Sequence, residues 1–223
     1  MRELPQSVVS GMAAIGASTE RDLIEICRAS ARSIKQRALA CALLGELRSR
    51  VSVPALLDVA SAEEEPLLVW EALKAVGLIR GRLATPAVMR LARTTASSTK
   101  RQAAVYALGI LADKRARSLL IRVLSDQQED AHTRGIAAEA LGLMGSTQRI
   151  VAALIQALED PSGDVRYAAL FGVEALRSAA ALPAVRRLQS DRTIVDGHAI
   201  GTQATSTTAI IEGAAEEAGS PKG

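Results

Sequence analysis

Few residues in this chain could make or break bonds, and their spacing narrows the choice further. The histidines are His132, in a turn-like stretch, and His198, near the C-terminal end; neither is followed by glutamate in an HE pair. The cysteines, Cys27 and Cys41, form no CxxC pair and sit beside no histidine, so zinc spacing is missing. No Ser, His and acid grouping can be assembled, and no glycine-rich loop follows a strand to cradle a phosphate. No catalytic residue, metal or cofactor is expected. What recurs is charge. One position repeats along the chain as Asp58, Arg90, Arg122, Gln156 and Arg187, with Glu25 before it and Arg93, Arg117 and Arg186 nearby. Guanidinium groups in a row suit ion pairing with an acidic partner.

The elements that position those residues follow from a repeat. Gly45, Gly77, Gly109, Gly142 and Glu174 stand at intervals of 32, 32, 33 and 32 residues, a period that means stacked supersecondary units. Five positions earlier is always alanine: Ala40, Ala72, Ala104, Ala137 and Ala169. Two positions earlier the residue is mostly small. One before and two after come Leu, Val, Ile or Met. These offsets trace one face of a helix, with small residues for close approach and large ones to fill the layer. Nine positions after the origin come Pro54, Pro86, Ser118 and Pro183. Proline is pre-set for the first turn of a helix, so a second helix begins there. Each unit is helix A, turn, helix B, turn. The pattern predicts an all-α, right-handed α-α superhelix of five full pairs, over 33–191. Residues 1–32 read as a divergent capping pair, with Thr19 as an N-cap.

The strings DVRYAALFGVEAL from Asp164, TRGIAAEALGLMG from Thr133 and KRQAAVYALGIL from Lys100 resemble the HEAT-like repeat of the phycobilisome-lyase type, a short bacterial member of the HEAT/armadillo superfamily. The family's helix A arginine matches Arg37, Arg101, Arg134 and Arg166, with Val69 the exception. Its acidic turn matches Asp126, Asp160 and Asp191. The resemblance covers about 33–191 and implies a HEAT-like solenoid. It is specific for fold and silent on task, because such repeats host unrelated functions.

Composition agrees with a repeat protein. Of 223 residues 48% are hydrophobic and only 2% aromatic, which suits tight Ala/Leu helix packing. The net charge of +3 is carried mainly by arginine; the functional reading is an acidic partner, the ordinary one a codon bias. The cysteines read as small buried hydrophobes. No run is long enough to span a membrane, and the start, MRELPQSVVSGMAAIGAS, is a poor signal peptide; the cytoplasm is the expected compartment. After Asp191 helical periodicity is lost. Residues 192–223 read as a tail whose Ile194, Val195, Ile200, Ile210 and Ile211 either cap the open last repeat or hang in a linker, with disorder expected after Gly213.

In this fold helix B lines the concave face. The partner-binding residues expected there are Asp58, Arg90, Arg93, Arg122, Gln156, Arg186 and Arg187. The aromatics Trp70, Tyr106, Tyr167 and Phe171 all fall on helix A, so the groove offers no stacking platform for single-stranded nucleic acid. Basic turns within repeats (Arg48, Arg50, Arg80, Arg82, Lys114, Arg115, Arg149, Arg177) and acidic turns between them (Glu63, Glu64, Glu65, Asp126, Glu129, Asp130, Glu159, Asp160, Asp164, Asp191) should make one edge positive and the other negative. The expected function is a non-catalytic scaffold that holds a protein or peptide of acidic character. The alternatives are a bilin lyase or lyase-like chaperone subunit, as the family name implies, and a binder of duplex nucleic acid through arginine alone. The HE pairs of HEAT-repeat deoxyhypusine hydroxylases are missing.

Overall fold

The computed structural model describes residues 5–81 and 83–219. Arg82, the first four residues of the chain's start and the last four of the tail lie outside the described residues. Among the described residues there are thirteen α-helices and one two-stranded hairpin, so the all-α expectation holds. The chain divides into two compact units, Met1–Asp113 and Lys114–Gly223; the division falls between the two helices of the third repeat.

The N-terminal unit holds α1 (Gln6–Ala14), α2 (Glu20–Arg28), α3 (Ile34–Glu46), α4 (Val53–Ala62), α5 (Pro66–Ile79), α6 (Thr85–Thr94) and α7 (Ser98–Leu111). The starts are fixed by side chains. Thr19 and Asp22 form a capping box on α2, Ser33 and Gln36 one on α3. Prolines sit in the first turns of α4, α5 and α6. Helices α3, α5 and α7 pack side by side as the helix A layer, and α2, α4 and α6 line up behind them. The C-terminal unit repeats the plan with α8 (Arg117–Ser125), α9 (Ala131–Gly142), α10 (Gln148–Ala157), α11 (Gly163–Ala175) and the short α12 (Leu182–Arg187). There α9 packs on α11, and α8 on α10.

Small residues set the spacing of the helix A layer. All five periodic alanines, from Ala40 to Ala169, are 0% exposed. The periodic glycines face the small position of the next helix A. A Cβ on Gly45 would lie 2.9 Å from the Ala75 Cα, and one on Gly142 2.9 Å from the Gly172 Cα, closer than carbon atoms pack. The helix ends recur too. Three residues past each repeat origin, Arg48, Arg80, Ala112, Gly145 and Arg177 all have positive φ, between 47° and 77°. This left-handed residue ends helix A. Only one of the five is glycine, although a side chain there costs about 1 kcal/mol.

The tail departs from expectation. Instead of losing helical structure it forms β1 (Ile194–Val195), β2 (His198–Ala199) and α13 (Ile200–Gly219), which runs past Gly213. The strands pair across Asp196-Gly197, both at positive φ, as a two-residue hairpin turn requires. Helix α13 packs on α11 and α12, next to α11 as α11 is next to α9. Its buried stripe is Ile200, Ala204, Thr207, Thr208 and Ile211. Of the five apolar tail residues, Val195, Ile200 and Ile211 are buried, and Ile194 and Ile210 are exposed. The helix was hidden in the sequence because two of these five buried residues are threonine. The hydroxyls are answered: Thr207 donates to Glu174 Oε2 at 2.7 Å and Thr208 to the Ala204 carbonyl at 2.8 Å.

The alanine column yields a stability prediction. Ala137→Leu inserts three carbons into a closed layer and should cost ~1–3 kcal/mol. Denaturant unfolding should show a lower midpoint; an unchanged midpoint would mean the layer is not closed at this column.

Candidate functional site

The charged residues fall into two sets, one consumed inside the fold and one left on its surface. The inner set begins with the helix A arginines. Arg134 is 5% exposed. It donates from Nε and Nη2 to the Asp160 carboxylate at 3.2 and 2.8 Å, and from Nη1 to the Glu129 carbonyl at 2.6 Å. Arg166 repeats this with Asp191 at 2.9 Å and the Asp160 carbonyl at 2.8 Å. In the other unit Arg37 pairs with Glu63 and donates to the Cys27 carbonyl at 3.0 Å. Val69 breaks the column. There Lys100, 6% exposed, reaches the Ser61 carbonyl at 3.1 Å and Glu64 at 2.6 Å. Of the acids in the turns between repeats, Asp160 and Asp191 are drawn into buried or part-buried ion pairs, whereas Glu64, Glu65, Asp126, Glu159 and Asp164 stay exposed.

The outer set contains the residues expected to bind a partner, and all seven are exposed. The structure places Asp58, Arg90 and Arg93 in the N-terminal unit and Arg122, Gln156, Arg186 and Arg187 in the other. Asp58 and Arg90 line a cleft of about 630 Å³ between α4 and α6, with Pro54, Leu57, Leu83 and Leu91 as apolar walls. Leu83 is 94% exposed at its mouth. Asp58 is paired with Arg28 at 2.7 Å, whereas Arg90 and Arg93 meet no acid among the described residues. In the C-terminal unit Arg122 is likewise unmatched. Arg187 pairs with Glu159 at 2.6 Å and Arg186 with Glu212 at 2.5 Å. Both pairs are more than 40% exposed, so their net contribution is small and salt-sensitive.

A second concavity was not visible in the sequence, because α13 builds one of its walls. About 820 Å³ lies between α9, α11 and α13, lined by Leu143, Phe171 and Ile210 with Glu139, Glu174 and Arg177. Phe171 stands edge-on to Tyr167 at 5.0 Å. In the N-terminal unit Trp70 stacks on Tyr106 at 5.3 Å. Burial pushes the Glu139 carboxyl up, partly offset by the charge of His132.

The cysteines are both buried at 0% exposure. Cys27 donates to the Ile24 carbonyl at 3.2 Å. Interaction with the Cys27 thiol, and then burial, pushes the Cys41 thiol far above its ordinary range, so it is inert at neutral pH. Among the described residues no group of His, Cys, Asp and Glu is placed to hold a metal ion, and no helix is long and apolar enough to cross a membrane.

Known proteins match this geometry through the repeat. The family described as HEAT repeats matches residues 20–109. The PBS lyase HEAT-like repeat matches 100–126 and 133–160. The chain is a HEAT-repeat protein. The matches span the buried arginines Arg37 and Arg134 and the part-buried Arg101. No curated protein matches this HEAT-repeat protein in sequence. Among solved structures it is similar to the complex of CpcE and CpcF of phycocyanin lyase from Nostoc sp. PCC7120, at TM-score 0.57 and 18% identity over 70% of this chain and 98% of that one. A designed armadillo repeat protein in complex with the peptide (KR)4 gives 0.54 and 18% over 87% and 100%. The archaeal HEAT-like repeats protein from Thermococcus onnurineus NA1 gives 0.54 and 16% over 94% of both. At these identities the likeness is one of fold.

The inner ion pairs predict acid sensitivity. Burial opposes ionisation of Asp160, but hydrogen bonds from Arg134, the Ser162 N–H and Gln127 outweigh it, and its carboxyl lies below the usual range. Asp191 is lowered in the same way, its burial outweighed by Thr193 and Arg166. A depressed carboxyl stabilises the fold above its unfolded value of about 4, and that stability is lost as pH falls through the lower folded value. Asp160→Asn should therefore be less stable at neutral pH and lose less stability between about pH 5 and pH 2 than the parent. Equal acid slopes would show that this carboxylate is not held in its ionised form.

Proposed function

We propose that this HEAT-repeat protein is a non-catalytic scaffold, and that the helix B face of its N-terminal unit takes a protein or peptide segment of acidic and apolar character. The observation that carries the reading is the α4–α6 cleft. Arg90 lies in it and Arg93 beside it, both without an intramolecular acid, next to leucines that already face water. Exposed apolar side chains rimmed by unmatched charge mark interaction surfaces. The complement is an extended or helical segment with carboxylates set between apolar residues. The designed armadillo neighbour holds a peptide of opposite charge, which supports the mode of binding and not the sign. Arg122, Gln156, Arg186 and Arg187 are read as a further helix B surface in the C-terminal unit. The compartment is read as cytoplasmic.

A second reading rests on a different observation. The PBS lyase HEAT-like repeats at 100–126 and 133–160, with the CpcE and CpcF complex as a structural neighbour, favour a lyase-like subunit that works with a partner chain. An open-chain tetrapyrrole needs apolar or aromatic walls, and the concavity beside Phe171 has them. Duplex nucleic acid is the weakest reading, since the unmatched arginines Arg90, Arg93 and Arg122 alternate with paired ones.

A titration tests the first reading. A short peptide alternating leucine with glutamate should bind saturably, and its lysine counterpart should not. Arg90→Glu with Arg93→Glu should weaken binding about ten-fold or more by reversing charge at the interface, with the melting temperature unchanged because both side chains face water. Affinity should also fall with salt, since exposed charges are screened beyond ~8 Å at physiological ionic strength. Equal affinity of parent and double variant would overturn the assignment of this cleft.

A further inference from the structure

The concavity of about 820 Å³ between α9, α11 and α13 is opposite in charge to the Arg90 cleft. Three large apolar side chains are exposed in it: Leu143 just past α9, Phe171 on α11 and Ile210 on α13. Two carboxylates stand among them. Glu139, on α9, makes no ion pair among the described residues, and burial pushes its carboxyl up against the charge of His132. Glu174, on α11, is held from α13: Thr207 and Gln203 donate to its Oε2 at 2.7 and 3.2 Å. Both donors are neutral, so this carboxylate is oriented while its charge stays unmatched. Arg177, exposed at the rim, is the one cation among the described residues that line the concavity.

The helices add to this field. Helix α9 ends at Gly142 and α11 at Ala175, both beside the concavity, and neither last turn contains a basic residue. A helix C-terminus carries negative potential and favours a cation. Arg177 follows the end of α11, but no base follows α9 before Arg149. Negative charge and apolar surface therefore share one opening. They are separate observations, since the three apolar side chains would face water whatever the charge of the acids. Exposed apolar side chains gathered in one place, rimmed by polar groups, mark an interaction site; the carboxylates and the helix ends set the sign of what it takes.

We infer that this concavity docks a basic amphipathic helix of a partner protein, with apolar side chains on Leu143, Phe171 and Ile210 and lysine or arginine at Glu139 and Glu174. An occupant must reach from α9 across α11 to α13. Packed helices lie about 8–10 Å apart, so that reach is roughly 16–20 Å, beyond a small amine. A helix rises ~1.5 Å per residue and covers it in about 11–13 residues, with side chains three and four apart on one face. An acidic segment, as proposed for the Arg90 cleft, is repelled here. A linear tetrapyrrole meets the apolar walls, but its own carboxylates oppose Glu139 and Glu174. The site is in the other unit from the Arg90 cleft and does not depend on what that cleft binds.

The test is a methyl NMR titration of the full chain, read locally on Leu143 and Ile210. The probe is a helical peptide of about thirteen residues with leucines three and four apart and lysines between them. It should shift both residues' methyls saturably, and the same peptide with glutamate for lysine should bind there at least about ten-fold more weakly. A strictly alternating leucine–lysine peptide, which cannot gather its leucines on one helix face, should leave them unshifted. Glu139→Lys should melt like the parent, because the side chain makes no ion pair, and should lose at least about ten-fold in affinity. Leu143→Ser, read on Ile210, should also bind more weakly and keep the preference for lysine. Biliverdin shifting the same methyls at lower concentration than the lysine peptide would assign the concavity to a tetrapyrrole and overturn the docking site. A shift that does not saturate, equal affinity for the lysine and glutamate helices, or an unchanged affinity in both variants would overturn it as well.

Discussion

A guanidinium buried at the start of a helix must have its donors answered, and much of this fold is arranged to answer them. In the C-terminal unit the answers form one continuous chain. Arg134 holds the Asp160 carboxylate, Arg166 takes the Asp160 carbonyl, and Arg166 in turn holds Asp191. Each arginine also reaches the backbone that leads into its own helix. One side chain therefore fixes the entry to helix A and the turn that closes the repeat. The Arg134–Asp160 pair is nearly water-free, at 6% and 3% side-chain exposure, so its partners cannot be removed one at a time without stranding a charge. Where Val69 leaves the column empty, Lys100 from the next helix A supplies the cation.

This inner use of charge determines what remains for the surface. The turn acids Glu63, Glu64, Asp160 and Asp191 are taken by buried cations, while Arg90, Arg93, Arg122, Lys114 and Arg149 face water without acids of their own. Each internal pair removes one cation with one acid, so the formal charge of +3 stays with the groups left outside. That sorting supports the proposed binding of acidic groups. Both cysteines, Cys27 and Cys41, are free and buried.

Much of this could be read from the sequence, and the parts that could not share a cause. The alanine column, the proline starts and the helix A arginines depend on contacts between equivalent positions of successive repeats, so periodicity exposes them. The repeat origin shows the same logic: Gly45 and Gly142 are small because the next helix A lies against them. What escaped depends on unique contacts. Helix α13 buries Thr207 and Thr208 through hydroxyl bonds that no hydrophobic pattern announces. The Asp196-Gly197 turn was a usable signal, since that dipeptide between apolar residues is a hairpin start. The concavity of the C-terminal unit joins Glu139 and Leu143 to Phe171 and Ile210, residues far apart in sequence on helices that only the fold brings together.

The account stands or falls on whether the buried arginine and its turn acid act as one unit holding successive repeats in register. A double-mutant cycle on Arg134→Met and Asp160→Asn, measured by denaturant unfolding, reads this directly. Each single change should cost ~3–5 kcal/mol, as breaking one side of a buried pair does, and the double change should cost clearly less than their sum. Single costs near the ~0–1 kcal/mol of a surface pair, adding without coupling, would contradict it.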